Sequence, residues 1–385
     1  MNSLDHFARD KLAALEARKL RRRLAQGDHA PGLIVTRDGR ALVDFCSNDY
    51  LGLAHDPAVK QAAARALEKY GAGAHASRLV TGNYALLDEL EVKLAVIKGA
   101  EAACVFGSGY LANLGIVPSL MAGGDLILAD ELSHTCILAG TKLSGAKSLL
   151  FRHNDMDDLK RLLSEHRVAA RHAMILTDGV FSMDGDLAPL PEIMTLAREH
   201  DAWVLTDDAH GLGVVGEGRG SAAHWRVKPD LQMGTLSKAA GAYGGYVCGS
   251  HMVIDLLKTR ARTLIYSTAL PPAAAGAALK ALGIIETDFA RVASPLRKAR
   301  AFAKLLGLPE PQSAIVPIVI GAPEAALEAS AKLEEAGFLV TAIRPPTVPE
   351  GTARLRLTFS AAHRDEDIAR LAEAIRALRI LQRAA

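Results

Sequence analysis

Lys238 lies in Thr235-Leu236-Ser237-Lys238-Ala239-Ala240-Gly241, downstream of an apolar run that leads into Thr206-Asp207-Asp208-Ala209-His210-Gly211. A lysine amine captures a carbonyl as a Schiff base, and a carboxylate keeps a pyridine nitrogen protonated so that the ring can accept electrons. With an imidazole beside them, the two suit pyridoxal 5′-phosphate (PLP). Either half alone is weak, because Ser/Thr-x-x-Lys is a common tetrad and most lysines are solvated surface charges. Lys238 differs in its setting. It sits between an apolar run and Gly241, Gly244, Gly245 and Gly249, a poor place for a surface charge and a good one for close cofactor approach.

Ligands of open α/β sheets gather beyond the carboxyl ends of strands, so the loops after apolar runs hold the other candidates. Gly107-Ser108-Gly109-Tyr110 follows Ala102–Phe106 and opens a helical pattern, which offers free backbone N–H groups to a cofactor phosphate. Thr235 can add a hydroxyl. Without Lys238 and Asp207 the same segment is an ordinary glycine turn. Asp207 follows the run 203–206, and a buried acid there stays ionised only when paired with a positive charge. Asp208 is its local rival, since strand alternation sends the two carboxylates to opposite sides. His210, and Ser182 in Val180-Phe181-Ser182-Met183-Asp184-Gly185, are candidate donors to the phenolic oxygen of the cofactor; Ser182 alone reads as a polar loop residue or helix cap. His134 follows another apolar run and can stack on a pyridine face, although most lone histidines are structural. Arg354 and Arg356 alternate with Leu355 and Leu357, so both guanidinium groups project to one face, as binding of a substrate carboxylate requires. A solvated strand face is an equal alternative for Arg354, and Arg356 is the one assigned to substrate.

These side chains need a frame. The chain has 385 residues, 50% hydrophobic and 23% charged, enough for a sizeable core and two domains. From 45 to 285, short apolar runs alternate with helical patterns, which predicts a large, mostly parallel α/β domain. Residues 286–385 predict a smaller α+β domain, with a last helix striped by Ile368, Leu371, Ala372, Ile375 and Leu378. Residues 1–44 read as an amino-terminal helical arm, with Leu4, Phe7, Ala8, Leu12 and Leu15 at helical spacing. A formal net charge of +2 argues against nucleic-acid or anionic-membrane partners, despite Arg21-Arg22-Arg23. No apolar run approaches a membrane span, and the first residues lack the features of a signal peptide, which predicts a cytoplasmic protein. The four cysteines, Cys46, Cys104, Cys136 and Cys248, form no C-x-x-C pair and read as reduced, mostly buried thiols. His134 and Cys136 are close, but no second pair completes a zinc site, so no metal is expected.

Ser47-Asn48-Asp49-Tyr50-Leu51-Gly52-Leu53, Val180–Asp186, Asp207–Gly211 and Tyr266-Ser267-Thr268 occur in the order and spacing of successive blocks of a known family. Over nearly its whole length the chain resembles the α-oxoamine synthases, PLP enzymes of the aspartate-aminotransferase fold group (fold type I). The resemblance implies that Lys238 carries the cofactor, Asp207 pairs its pyridinium, His134 stacks on the ring, and His210 and Ser182 address the phenolic oxygen. Gly109, Tyr110 and Thr235 would help hold the cofactor. It also implies a homodimer with the active site at the subunit interface, where Thr268 reaches the neighbour's cofactor phosphate. Arg21, Asn48 and Thr358 would contact substrate.

Leu132-Ser133-His134, 342–349 and 351–358 are most similar to the branch that joins L-alanine, with loss of carbon dioxide, to a pimeloyl thioester of coenzyme A or acyl carrier protein. There Arg356 would meet the alanine carboxylate and Arg21 the distal pimeloyl carboxylate. Ser237 and Ala239 stand where the family often has glycine, and Tyr110 where close members have phenylalanine; neither departure removes a role. Alternatives are 2-amino-3-ketobutyrate CoA ligase, which joins glycine to acetyl-CoA, another α-oxoamine synthase, an aminotransferase, or a catalytically silent ligand-binding relative. A nicotinamide dehydrogenase is disfavoured, because no glycine fingerprint follows the first plausible sheet strand.

Overall fold

The computed structural model describes residues 2–18, 20–22 and 24–380. Its centre is a seven-stranded sheet in the order Ala102–Phe106, Gly245–Gly249, Leu231–Thr235, Trp203–Asp207, Ala173–Asp178, Leu126–Asp130, Lys147–Phe151. The last five pair in parallel, and Gly245–Gly249 runs antiparallel to both its neighbours. Helices cover both faces, so these strands are near-continuous apolar runs. Alternation divides them between two cores: Val105 and Tyr246 face Leu87, Leu94 and Leu282, while Phe106 and Val247 face Ile116, Val117 and Ile137. The architecture is α/β with a mostly parallel sheet, as the alternation over 45–285 predicts.

The register decides what meets at the carboxyl edge. Asp178 pairs with Asp207, Asp207 with Met233, and Gly245 with both Thr235 and Phe106. The loops carrying Gly107–Tyr110, Ser182, His210 and Lys238 therefore leave one end of the sheet together.

The carboxyl-terminal part holds a three-stranded antiparallel sheet with Ala353–Thr358 between Ile315–Gly321 and Thr341–Ile343. Helices Phe289–Leu306, Pro323–Glu335 and Asp365–Ala377 enclose its core of Phe302, Leu355, Leu357, Phe359 and Leu371. The amino-terminal region departs from the expected helical arm over 1–44. Ser3–Ala17 is a helix with no buried residue, but Asp28–Ala30, Ile34–Arg37 and Arg40–Asp44 are strands of a four-stranded sheet. The fourth strand is Phe338–Leu339, which pairs in parallel with Val43–Asp44. Val43 and Phe45 enter the carboxyl-terminal core, and that burial is what fixes this segment as sheet. Arg23 of the basic cluster lies outside the described residues.

Candidate active site

Lys238 follows Leu231–Thr235, and its Nζ lies 2.8 Å from His210 Nε2. His210 Nδ1 lies 2.6 Å from the hydroxyl of Tyr50, which in turn donates to Asn48 Oδ1 at 3.2 Å. Arg356 Nη2 donates to the same Asn48 oxygen at 3.3 Å. A polar chain thus runs from Lys238 through His210, Tyr50 and Asn48 to Arg356. Burial lowers the Lys238 amine to about 8 against the opposing pull of Asp207, so a useful fraction is neutral near neutral pH. Burial, then the nearby Lys238 and Arg356 charges, hold His210 well below the usual histidine range. It is therefore a neutral ring: with the amine donating to Nε2, the ring proton sits on Nδ1 and points to the Tyr50 oxygen.

Asp207 ends Trp203–Asp207 and is 3% exposed. Its Oδ1 accepts the Ala209 N–H at 3.0 Å and its Oδ2 accepts Asn113 Nδ2 at 2.8 Å. Among the described residues it makes no ion pair. Asp208, its rival in the sequence, points the other way and bonds the ammonium of Lys98, with both side chains essentially closed to solvent. Asp207 is therefore the buried carboxylate awaiting a cation, and a pyridinium fits that need. His134, exposed over part of its surface, is the N-cap of Thr135–Ser144, and its backbone N–H donates to Asp178 Oδ2 at 2.8 Å. Desolvation by the surrounding walls lowers its pKa. Asp178 is driven well up, first by burial and then by Asp207.

Gly109 begins the helix Gly109–Leu120, and Ser108 caps it by accepting the Leu111 N–H at 3.2 Å. The first N–H groups of this helix are the ones that could hold a phosphate. A Cβ on Gly245 would stand 2.3 Å from Ser108 O, and one on Gly241, where φ is +61°, would stand 2.3 Å from Ala54 N. Both glycines thus permit backbone to touch backbone beside the Lys238 turn. Thr235 Oγ1 donates to Gly244 O at 2.8 Å and accepts the Ser237 N–H at 3.1 Å, pinning the Lys238 turn. Tyr110 is half exposed, and Thr268 is exposed beside Ser267 and Gly107.

The two strand arginines are both buried. Arg354 is ion-paired with Asp184, so it is neither a solvated face nor free for substrate. Arg356 donates through Nε to the carbonyl of Ser182, and no ion pair neutralises it among the described residues. Thr358 bonds the Ser47 and Phe45 carbonyls at 2.7 and 3.0 Å, so its hydroxyl holds the Asn48 loop in place. Arg21 is exposed, pairs with Glu16 at 3.3 Å, and borders a cavity of about 890 Å³ with Leu12, Leu15, Pro345 and Val348. A larger cavity, of about 1030 Å³, lies away from this chemistry against Val215, Trp225 and Phe289.

Sequence reasoning did not single out Tyr50, Asn113, Cys136 or Asp178 as site residues. Asp178 carries a usable signal, an acid ending an apolar strand next to the one that ends in Asp207. Asn113 and Cys136 sit in helices and carry none.

The profile of the family "Aminotransferase class I and II" matches residues 40–375. The 8-amino-7-oxononanoate synthase of Maricaulis maris is 60% identical over 98% of this chain and 96% of its own length. That of Methylocella silvestris is 64% identical over 89% of this chain and 98% of its own. Among solved structures, a serine palmitoyltransferase from S. paucimobilis with PLP and myriocin bound covers 99% of this chain and 100% of its own, at TM-score 0.90 and 29% identity. An 8-amino-7-oxononanoate synthase from Francisella tularensis covers 87% and 96%, at TM-score 0.75 and 28% identity. The chain belongs to the class I and II aminotransferase family, and within it to the PLP-dependent α-oxoamine synthases, which are acyl-transferring enzymes. Its cofactor is pyridoxal 5′-phosphate. No described helix is long and apolar enough to cross a membrane.

Proposed function

We propose that this chain condenses L-alanine with a pimeloyl thioester, of coenzyme A or acyl carrier protein, to give 8-amino-7-oxononanoate, carbon dioxide and free thiol in biotin biosynthesis. The observation that carries the reading is near-full-length likeness, at about 60% identity, to relatives named for that product, on a chain whose Lys238, Asp207, His134 and His210 gather at the carboxyl edge of the central sheet, with Arg356 linked to them from the smaller sheet through Asn48 and Tyr50. When bound, the cofactor ring takes up the electron pair left on the amino-acid α-carbon. Lys238 would hold the cofactor through its Nζ. The same amine, lowered to about 8 by burial, is the base placed to take the α-proton of a bound amino acid. Asp207 would pair with a positive charge on the ring nitrogen, and His134 would cover a ring face. His210 and Ser182 address the phenolic oxygen; Gly109, Tyr110 and Thr235 secure the phosphate end. Arg356 takes the alanine carboxylate, with Asn48 fixing the guanidinium plane. Arg21 takes the far pimeloyl carboxylate.

The same reading divides the chain into an amino-terminal segment (1–44) whose helical arm is Ser3–Ala17 alone, a cofactor domain (45–285) and a small domain (286–385). It makes the protein a cytoplasmic homodimer in which Thr268 completes the neighbour's phosphate site. Thiol release by the cofactor-loaded protein tests the proposal, with L-alanine and pimeloyl-CoA set beside glycine and acetyl-CoA, and product mass as confirmation. Release mainly from the first pair with the oxononanoate mass supports it. Release mainly from the second keeps the family chemistry and overturns the pimeloyl assignment.

A further inference from the structure

His134 and Cys136 lie two residues apart and belong to no metal-holding group among the described residues. Folding puts them to another use. Cys136 is 2% exposed in the first turn of Thr135–Ser144, and its Sγ lies 2.8 Å from His134 Nδ1, 3.1 Å from Asn113 Nδ2 and 4.0 Å from Asp207 Oδ2. The Cys136 backbone N–H also points to His134 Nδ1, at 3.3 Å. The hydrogen count follows from the chemistry of these groups. Asn113 already gives one amide hydrogen to Asp207 and gives the other to the sulfur. The sulfur can therefore accept from Asn113 while donating its own hydrogen elsewhere. Burial, and next the Asp207 charge, push the thiol up to about 12, so that hydrogen is retained. Of the two acceptors near it, Nδ1 is closer than the carboxylate by more than an ångström. Nδ1 then receives hydrogens from both the backbone and the thiol, and a neutral imidazole must carry its proton on Nε2.

We propose that Cys136 is a positioning residue: its thiol, held by Asn113, locks His134 as the Nε2–H tautomer and fixes the ring plane relative to Asp207. The inference rests on the reading of His134 as the residue over the cofactor ring. A neutral ring in one orientation can lie on a pyridinium without like-charge repulsion, and its N–H is presented at a constant place. Asn113 joins the two halves of the site, since one amide group steers both the pyridinium partner and the covering histidine.

The test compares wild type, Cys136→Ala and Cys136→Ser as full-length proteins labelled with ¹⁵N-histidine. Proton–nitrogen correlation spectra of the cofactor-free form read the His134 tautomer directly. The Nε2–H pattern is expected in wild type and Cys136→Ser, with mixed tautomers in Cys136→Ala, where only the longer 3.3 Å backbone N–H remains on Nδ1. In the PLP-loaded form, the visible circular-dichroism band of the cofactor should change at least twofold in Cys136→Ala and recover in Cys136→Ser, and kcat should fall about tenfold. A pure Nε2–H tautomer and an unchanged band in Cys136→Ala would overturn the proposal. If Cys136→Ala does not fold, Cys136→Val fills the space without a donor and gives the same readings. The cofactor-free spectra do not depend on substrate, so they stand even if the pimeloyl assignment fails.

Discussion

Replacing Lys98 with methionine should destabilise the protein more than any surface charge reversal, because it takes the cation out of a pair that solvent does not reach. The side chains of Lys98 and Asp208 are 0% and 1% exposed. Lys98 also donates to Arg219 O at 2.7 Å, while Asp208 accepts the Ser221 N–H at 3.0 and 3.2 Å. Methionine keeps the apolar stem, so the loss is electrostatic rather than a cavity. It leaves a carboxylate in a dry site with backbone donors alone, at a cost of about 3–5 kcal/mol. At roughly 1.4 kcal/mol per tenfold, that lowers the folded-to-unfolded ratio by a factor of order 10² to 10³ or more. Urea unfolding of Lys98→Met beside wild type reads the loss. The double variant Lys98→Met with Asp208→Asn should be less destabilised than the two singles summed. A loss under about 1 kcal/mol, or strict additivity, would refute the reasoning.

Three other outcomes are expected. Lys238→Ala should fold and bind PLP without a covalent link, with turnover down by about 10³-fold or more, as read by absorbance and thiol release. Arg356→Lys should raise KM for the amino acid at least tenfold with a smaller change in KM for the thioester, because a lysine cannot form the paired hydrogen bonds. Burial lowers His363 to about 4, while its ring stacks on Phe45 at 4.0 Å and its Nδ1 accepts the Ser360 N–H. Its neutral form is the folded form, so this contribution is complete above the unfolded value of about 6.5 and is lost as pH falls from there through 4. The loss is of order 3 kcal/mol, and thermal melting across that window should flatten in His363→Gln.

The cofactor end of the site was readable because its residues follow directly from strands. Asp207, His210, Lys238 and the Gly107–Tyr110 turn stand where an apolar run stops, and order along the sheet does the rest. Asn113 and Cys136 reach Asp207 from two helices, Gly109–Leu120 and Thr135–Ser144, and nothing in local periodicity says which helical turn faces which strand end. The exchange of roles between Asp207 and Asp208 was open for a similar reason: alternation separates them, but only Lys98, remote in sequence, marks the side that is already occupied. Residues 28–44 misled because the strand that claims them, Phe338–Leu339, is two residues long.

That late partnership has a consequence for how the chain is made. Val43 and Asp44 find Phe338 and Leu339 only after nearly the whole polypeptide has left the ribosome. Until then the strand at 40–44 lacks its parallel partner, and the loop bearing Asn48 and Tyr50 is held only from its far side, where Tyr50, Leu51 and Leu53 pack into the central core. Contacts of such long span are slow to form, because loop-closure entropy is lost before burial returns anything. The central sheet can assemble during synthesis. Arg356, Thr358 and the strand that bears them come last, so a nascent chain stalled before 338 would carry the lysine and its acid without the buried guanidinium that faces Asn48.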